Sequence, residues 1–226
     1  MIIPKVEKQN MFQNNLHKLL FLSFFCCSLL VTGQEQQEST RKLKKVGFLY
    51  NSAKENNILF GDPDYDYKTN TLKLQLFYLL HHGKKWDINL IVQPQVHIAK
   101  HQLLNEQFIT PDEPNFMENR ARLTQERTLS LLAFELGFQF RRELFNKLFF
   151  EANFGLGVAN IDKETERLAR GFTFIENISV GLAYQWKSSE LYLGSNVGHV
   201  SNFNIQLPNS GYNLFGFEVG YRFLLQ

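Results

Sequence analysis

His199 and Ser201, in the run His199-Val200-Ser201-Asn202, are the residues of this sequence best suited to chemistry. A serine hydroxyl is a weak nucleophile until a base takes its proton, and imidazole does so near neutral pH. On a strand, positions i and i+2 point to one face, so the pair would come into contact after modest adjustment. Leu191, Leu193 and Val197 share that face, which makes it an apolar one. A blander account fits the same spacing, because His and Ser at a strand end also serve as plain interfacial polar residues.

Other reactive side chains point less clearly to a site. His81 and His82 fall at a short turn, and His97 and His101 approach a long loop. No carboxylates converge with them at ligand spacing, so no metal site is expected. The run Asp62-Pro63-Asp64-Tyr65-Asp66 has the oxygens that calcium prefers but lacks the spacing of a calcium loop. An exposed loop is the simpler account. Arg120, Arg122 and Arg127 could meet lipid phosphates, though a solvated loop face again suffices. Both cysteines, Cys26 and Cys27, lie in the N-terminal segment, which leaves the remaining chain without thiols.

The elements that would position His199 and Ser201 follow a period of two. Leu132, Phe134, Leu136, Phe138 and Phe140 alternate with Ala133, Glu135, Gly137, Gln139 and Arg141. Ile178, Val180, Leu182, Tyr184 and Trp186 alternate with small and polar residues in the same way, as do Phe215, Phe217, Val219, Tyr221 and Phe223. One face of these segments is continuously apolar; the other carries Gly, Asn, Gln and opposed charges. A soluble sandwich or lipocalin-like barrel reverses this pattern, whereas a transmembrane barrel requires it. No apolar run after residue 34 reaches the roughly 18 residues of a spanning helix. With 22 phenylalanines and a net charge of only +2, the chain suits lipid contact and carries no strong pull toward nucleic acid.

Strands are predicted near residues 44–52, 70–81, 85–99, 128–142, 147–158, 171–186, 189–201 and 212–225. The connections between them alternate, with short turns at 82–84, 143–146 and 187–188 and long loops at 53–69, 100–127, 159–170 and 202–211. Tyr78, Trp86, Tyr184, Trp186, Tyr221 and Phe223 then form an aromatic girdle at the short-turn end. The fold class is therefore all-β, an eight-stranded antiparallel transmembrane outer-membrane β-barrel. Its inward Glu135, Glu151, Glu218, Arg141 and Arg222 should pair in a packed, pore-free interior. Residues 1–33 read as a cleaved signal peptide, with Lys5, Lys8 and Lys18 ahead of an apolar run at 19–31. Residues 34–43 read as a polar linker and 44–226 as the barrel, exported to a bacterial outer membrane.

The C-terminal third resembles the PagL-like lipid A 3-O-deacylase (acyloxyacyl hydrolase) family. The resemblance rests on His199-Val200-Ser201-Asn202, on Pro208-Asn209-Ser210-Gly211 and on the closing Gly220-Tyr221-Arg222-Phe223. Gly155-x-Gly157 and Gly171-Phe172-Thr173-Phe174 support it. It implies an eight-stranded outer-membrane barrel that removes an ester-linked acyl chain from lipid A, with Ser201 as nucleophile and His199 as general base. Asn202 and Asn209 match family asparagines and would serve the oxyanion. The resemblance names lipid A or lipopolysaccharide as the partner, implies no cofactor, and leaves room for a homodimer. It departs at Asn213, which stands where the family has an acid. An Asn can orient a His but stabilises imidazolium less well. Hairpin register across 187–188 places Glu176 opposite His199 on the outward face, as an alternative acid. A non-catalytic barrel of the same ancestry, structural or adhesive, is the rival that Asn213 would favour.

Overall fold

A computed structural model describes residues 42–55, 59 and 61–225; the segments read as a signal peptide, with Cys26 and Cys27, and most of the one read as a polar linker lie outside the described residues. Eight antiparallel strands close on themselves in sequence order. They are β1 (Leu43–Lys54), β2 (Tyr65–His82), β3 (Asp87–Leu103), β4 (Arg127–Phe145), β5 (Leu148–Ile161), β6 (Gly171–Trp186), β7 (Ser189–Ser201) and β8 (Tyr212–Leu224). Closure is made by β1 on β8, in register from Lys45 opposite Leu224 to Lys54 opposite Phe215. No strand edge is left, the condition that lipid imposes on any sheet that crosses it. Among the described residues no helix is long and apolar enough to span a membrane.

The alternation sorts as expected. Leu132 and Leu156, on the outer wall, are 69% and 70% exposed, whereas Glu151, Glu190 and Arg222 inside are 0% exposed. An apolar exterior around a charged interior suits only a lipid surround, and this is an outer-membrane barrel. Inside, Glu151 meets Arg141 at 2.5 Å and Arg222 at 2.7 Å. Glu190 binds Lys45 at 3.2 Å and also pairs with Arg141. Further along the bore, Lys73 lies 3.5 Å from Glu135 and 3.9 Å from Glu218. A Cβ added at Gly155 would collide with the Glu135 carboxylate, which explains the small residue there. At the short-turn end Trp186 lies 5.9 Å from Tyr221, and Tyr221 lies 5.0 Å from Phe223, rings of the girdle.

Two features depart from expectation. First, the middle strands are longer than the apolar alternation indicated, with β2 beginning at Tyr65 and β3 running to Leu103. Beyond the lipid the outward positions become polar, as at Lys68, Asn70 and Lys100, so the apolar period fades while the hydrogen-bonded ladder continues. Second, the interior at the loop end is largely aromatic and aliphatic. Tyr67 stacks on Tyr212 at 4.2 Å, and Leu129, Leu131, Ile161 and Leu168 are buried around them. Leu168 belongs to the β5–β6 loop, which packs into the barrel mouth. The β3–β4 loop carries a single-turn 3₁₀ segment, Glu106–Phe108, and a short helix, α1 (Phe116–Leu123).

Replacing Glu151 by alanine leaves Lys45, Arg141 and Arg222 facing Glu190 as the nearest carboxylate. Uncompensated buried charge costs about 3–5 kcal/mol. The expected outcome is a clear drop in the temperature at which the compact band converts to the unfolded band on a heat-modifiability gel. An unchanged midpoint would show that the charged layer contributes nothing to stability.

Candidate functional site

β7 carries His199 and Ser201 to the outer wall at the loop end, and its register sets His199 between two neighbours. Trp186 pairs with Ser189 across the tight turn, and counting on from there Glu176 lies opposite His199, as the hairpin arithmetic requires. On the other side β8 places Asn213 opposite the same histidine. The imidazole engages the second of these: His199 Nδ1 donates to Asn213 Oδ1 at 2.8 Å. Nε2 is then the nitrogen left to accept a proton. Among the described residues, no hydrogen bond joins Glu176 to the ring.

Ser201 is 8% exposed, and Thr173 on β6 donates a 2.8 Å hydrogen bond to its carbonyl. Gly211 completes the arrangement. Its φ of +66° lies in the left-handed region that favours glycine. A Cβ at that position would lie 3.1 Å from His199 Cε1, 3.2 Å from Ser201 Cβ and 2.6 Å from the Val200 carbonyl oxygen. Gly211 thus packs directly against the imidazole edge and the seryl methylene, with no room for a side chain. Among the described residues, no hydrogen bond joins the Ser201 hydroxyl to the ring.

The loop 202–211 is built by its own asparagines. Asn209 Oδ1 accepts from the Asn202 backbone N–H at 2.6 Å, and Asn202 Nδ2 donates to the Gln206 carbonyl at 2.7 Å. Asn202 is fully buried; Asn209 is half-buried and gives one N–H to Asn204 at 3.3 Å. Phe203 leans edge-on against Phe174 at 4.7 Å, and Phe174 is the residue paired with Ser201 across the β6–β7 ladder. The outer face beside Ser201 is therefore aromatic. Phe203 was not legible as part of this wall, because period-two reading stops where β7 ends.

A further residue holds the loop in place. The Arg167 carbonyl accepts from the Ser210 and Gly211 backbone N–H groups at 2.8 and 3.2 Å. Its guanidinium reaches Glu55 at 2.8 Å and Asp62 at 3.2 Å and stacks over Tyr65 at 4.5 Å. Burial pushes the Glu55 carboxyl above the usual carboxylate range, with Arg167 opposing that rise. Sequence reading passes over Arg167, since an arginine in a loop without periodicity carries no signal of its partners.

The remaining candidates are accounted for locally. His82 meets Asp87 at 2.7 Å at a turn, His97 meets Thr71 at 3.0 Å inside the bore, and His101 meets Glu166 at 2.9 Å in the barrel mouth. His81 stays at the short-turn end, at the close of β2. Among the described residues no three His, Cys, Asp or Glu side chains group as metal ligands. Asp62 and Asp64 serve loop hydrogen bonds, from the Asp64 N–H at 2.9 Å and from Asn105 at 2.8 Å. Arg120, Arg122 and Arg127 tie α1 and the adjoining loops together through Ile109, Glu164 and neighbouring carbonyls.

The model of the family "Lipid A 3-O-deacylase (PagL)" matches residues 76–222, well over half of the chain. No curated protein sequence matches it. Among solved structures, the barrel is similar to the outer membrane enzyme PagL, with a TM-score of 0.51 at 13% identity over 80% of this chain and 99% of that one. Neisserial surface protein A shares 11% identity over 80% of this chain and 96% of its own, with a TM-score of 0.44.

The Arg167 contacts carry an expected outcome. Arg167→Ala frees the β5–β6 loop from Glu55 and Asp62, so amide exchange at Ser210 and Gly211 should quicken by about tenfold or more, since local opening free energy falls with lost contacts. Exchange in the strands should not change. Equal protection of Ser210 and Gly211 in both proteins would mean that the loop is held by other contacts.

Proposed function

The chain belongs to the lipid A 3-O-deacylase (PagL) family, and on that premise we propose that it is an outer-membrane serine esterase that removes an ester-linked acyl chain from lipid A. The observation that carries this reading is the His199–Asn213 hydrogen bond on the lipid-facing wall, with Ser201 and the close-packed Gly211 next to it. A catalytic group on the outside of a barrel reaches only substrates held in the same membrane leaflet. Lipid A is such a substrate, and its acyl chains would lie along the Phe174 and Phe203 wall.

In this mechanism His199 Nε2 takes the Ser201 hydroxyl proton as Oγ attacks the ester carbonyl. The developing oxyanion needs donors already aimed at it. Asn209 is better placed than Asn202 for that role, because it is half-buried and an amide nitrogen has two protons to give. Collapse of the tetrahedral species expels the sugar alcohol, which recovers the proton from His199. Water, activated by the same imidazole, then cleaves the acyl-serine. Asn213 holds the ring in the tautomer that leaves Nε2 free, the orienting part of what an acid does in a triad. It supplies none of the negative charge. Glu176 sits on the opposite side of the ring and acts at most through its field.

Mass spectrometry of lipid A incubated with the refolded protein tests this directly. The wild type should remove one ester-linked chain, and Ser201→Ala and His199→Ala should remove none. If the folded wild type is as inert as Ser201→Ala on several lipid A types, the chain is instead a non-catalytic barrel with a structural or adhesive role.

A second outcome separates the two neighbours of the histidine. Asn213→Asp should raise the turnover rate by about tenfold, because a carboxylate stabilises the imidazolium formed in the transition state. Glu176→Gln should leave it within about twofold. A large loss in Glu176→Gln with no gain in Asn213→Asp would assign the acid to β6.

A further inference from the structure

At the short-turn end, opposite the candidate site, the exposed charges are mostly of one sign. Lys44, Lys84, Lys85, Arg142, Lys147 and Lys187 are all exposed there. Among the described residues, the acids at this rim outside the bore are Asp87 and Glu143. Asp87 meets His82 at 2.7 Å, and Glu143 accepts the Lys147 backbone N–H at 3.2 Å. Two of the lysines stand where the backbone does not favour a long side chain. Lys147 and Lys187 have φ of +67° and +53°, the left-handed region that glycine or asparagine usually fills in a hairpin turn. Their turns are neighbours, because the Gln185 N–H donates to the Lys147 carbonyl at 2.8 Å.

One aromatic ring organises the other cations. The Gly83 N–H donates to the Trp86 carbonyl at 3.1 Å, which closes the β2–β3 turn and leaves Lys84 and Lys85 at its tip. The Arg142 guanidinium, on β4, lies 5.8 Å from the centre of the Trp86 ring, within cation–π reach. Trp86 stands edge-on to Phe150 on β5 at 6.3 Å. From there the outward face enters the apolar wall at Ile88 on β3, paired with Phe140 on β4. An outer-membrane barrel turns its short connections to the periplasm, and the leaflet on that side is built of glycerophospholipids. Basic residues at a membrane surface attract anionic headgroups, and an indole at that level marks the interface. Cations at the rim, tryptophan at the interface and apolar strands beyond it match a charged head, a glycerol backbone and acyl chains in that order.

We infer that the short-turn rim, centred on Lys84, Lys85 and Arg142 around Trp86, binds the headgroup of a net-anionic glycerophospholipid in the periplasmic leaflet. Lys147 and Lys187 extend the same belt to the next turns. This goes beyond deacylation: it concerns the other leaflet, and it stands whether or not Ser201 is a nucleophile.

The test uses the refolded chain in detergent, in a Ser201→Ala background so that no acyl ester is cut, with lipid retention read by native mass spectrometry. The probes are phosphatidylglycerol, phosphatidylcholine with the same acyl chains, and inorganic phosphate. The parent should retain phosphatidylglycerol about tenfold more strongly than phosphatidylcholine, given the pull of clustered basic residues on anionic heads. Lys84→Gln/Lys85→Gln/Arg142→Gln should remove most of that preference. Lys68→Gln/Lys100→Gln/Lys163→Gln, an equal loss of charge at the loop end, should leave it within about twofold, because charges a membrane's thickness away are screened. Heat-modifiable migration confirms that each variant is folded. Should the short-turn variant not fold, single Lys84→Gln and Arg142→Gln changes are read in its place and should each weaken the preference by a smaller factor. Equal retention of the two lipids by the parent would overturn the inference, as would an unchanged preference in the folded short-turn variant. An equal loss in both triple variants would show an effect of net charge alone, and displacement of phosphatidylglycerol by equimolar inorganic phosphate a site for free anions; either result also overturns it.

Discussion

Everything in this structure depends on the closure of one hydrogen-bond ladder. Lipid offers a backbone amide no partner, so a sheet that enters it must join its first strand to its last. The β1–β8 seam does this along the whole of β1 beyond its first two residues. Once the ring is closed, each strand has one face to lipid and one to the bore, and every residue is committed by its parity. The apolar residues take the outside. Polar side chains that could have been solvated in a soluble protein are forced inward, where they must satisfy one another.

The charged layer is the consequence. Lys45, Arg141 and Arg222 surround Glu151 and Glu190, with Gln139 donating to Glu151 at 2.8 Å. Buried ion pairs are poor sources of net stability against an apolar core, but breaking one is costly. They also fill the bore at this level with paired side chains. At the loop end the same bore is filled by Tyr67, Tyr212 and their apolar neighbours, capped by the β5–β6 loop. That loop then holds the 208–211 segment through the Arg167 carbonyl. The packed interior is thus connected, through the β5–β6 loop, to the segment that borders His199 and Ser201.

The outer rim spreads its chemistry over six consecutive strands of the barrel. Strands β6, β7 and β8 bring Glu176, His199 and Asn213 into a row, and β8, β1, β2 and β3 continue from Phe215 through Lys54 and Lys68 to Lys100. Neighbouring strands in a closed sheet are spaced by a fixed few ångströms, so residues remote in sequence become rungs of the same face. The rim therefore presents an imidazole–amide pair, an aromatic wall and a row of lysines in turn along the ring.

Local signals were sufficient for much of this. Period-two alternation, short turns against long loops, and the position of Trp and Tyr determined the strand count, the inside and outside of each strand, and the facing of His199 and Ser201. Parity is a property of consecutive residues and needs no partner to be read. The tight turn at Lys187-Ser188 even set the Glu176–His199 register, because a two-residue hairpin leaves no slack. Tertiary structure alone decided the rest: that the imidazole bonds Asn213 and leaves Glu176, that Arg167 pins the loop, that Phe203 packs on Phe174, and that three lysines align. Each of these depends on register carried across long loops, or on a loop folding back into the bore. Those loops are set by closure of the whole ring, and no stretch of sequence contains that information by itself.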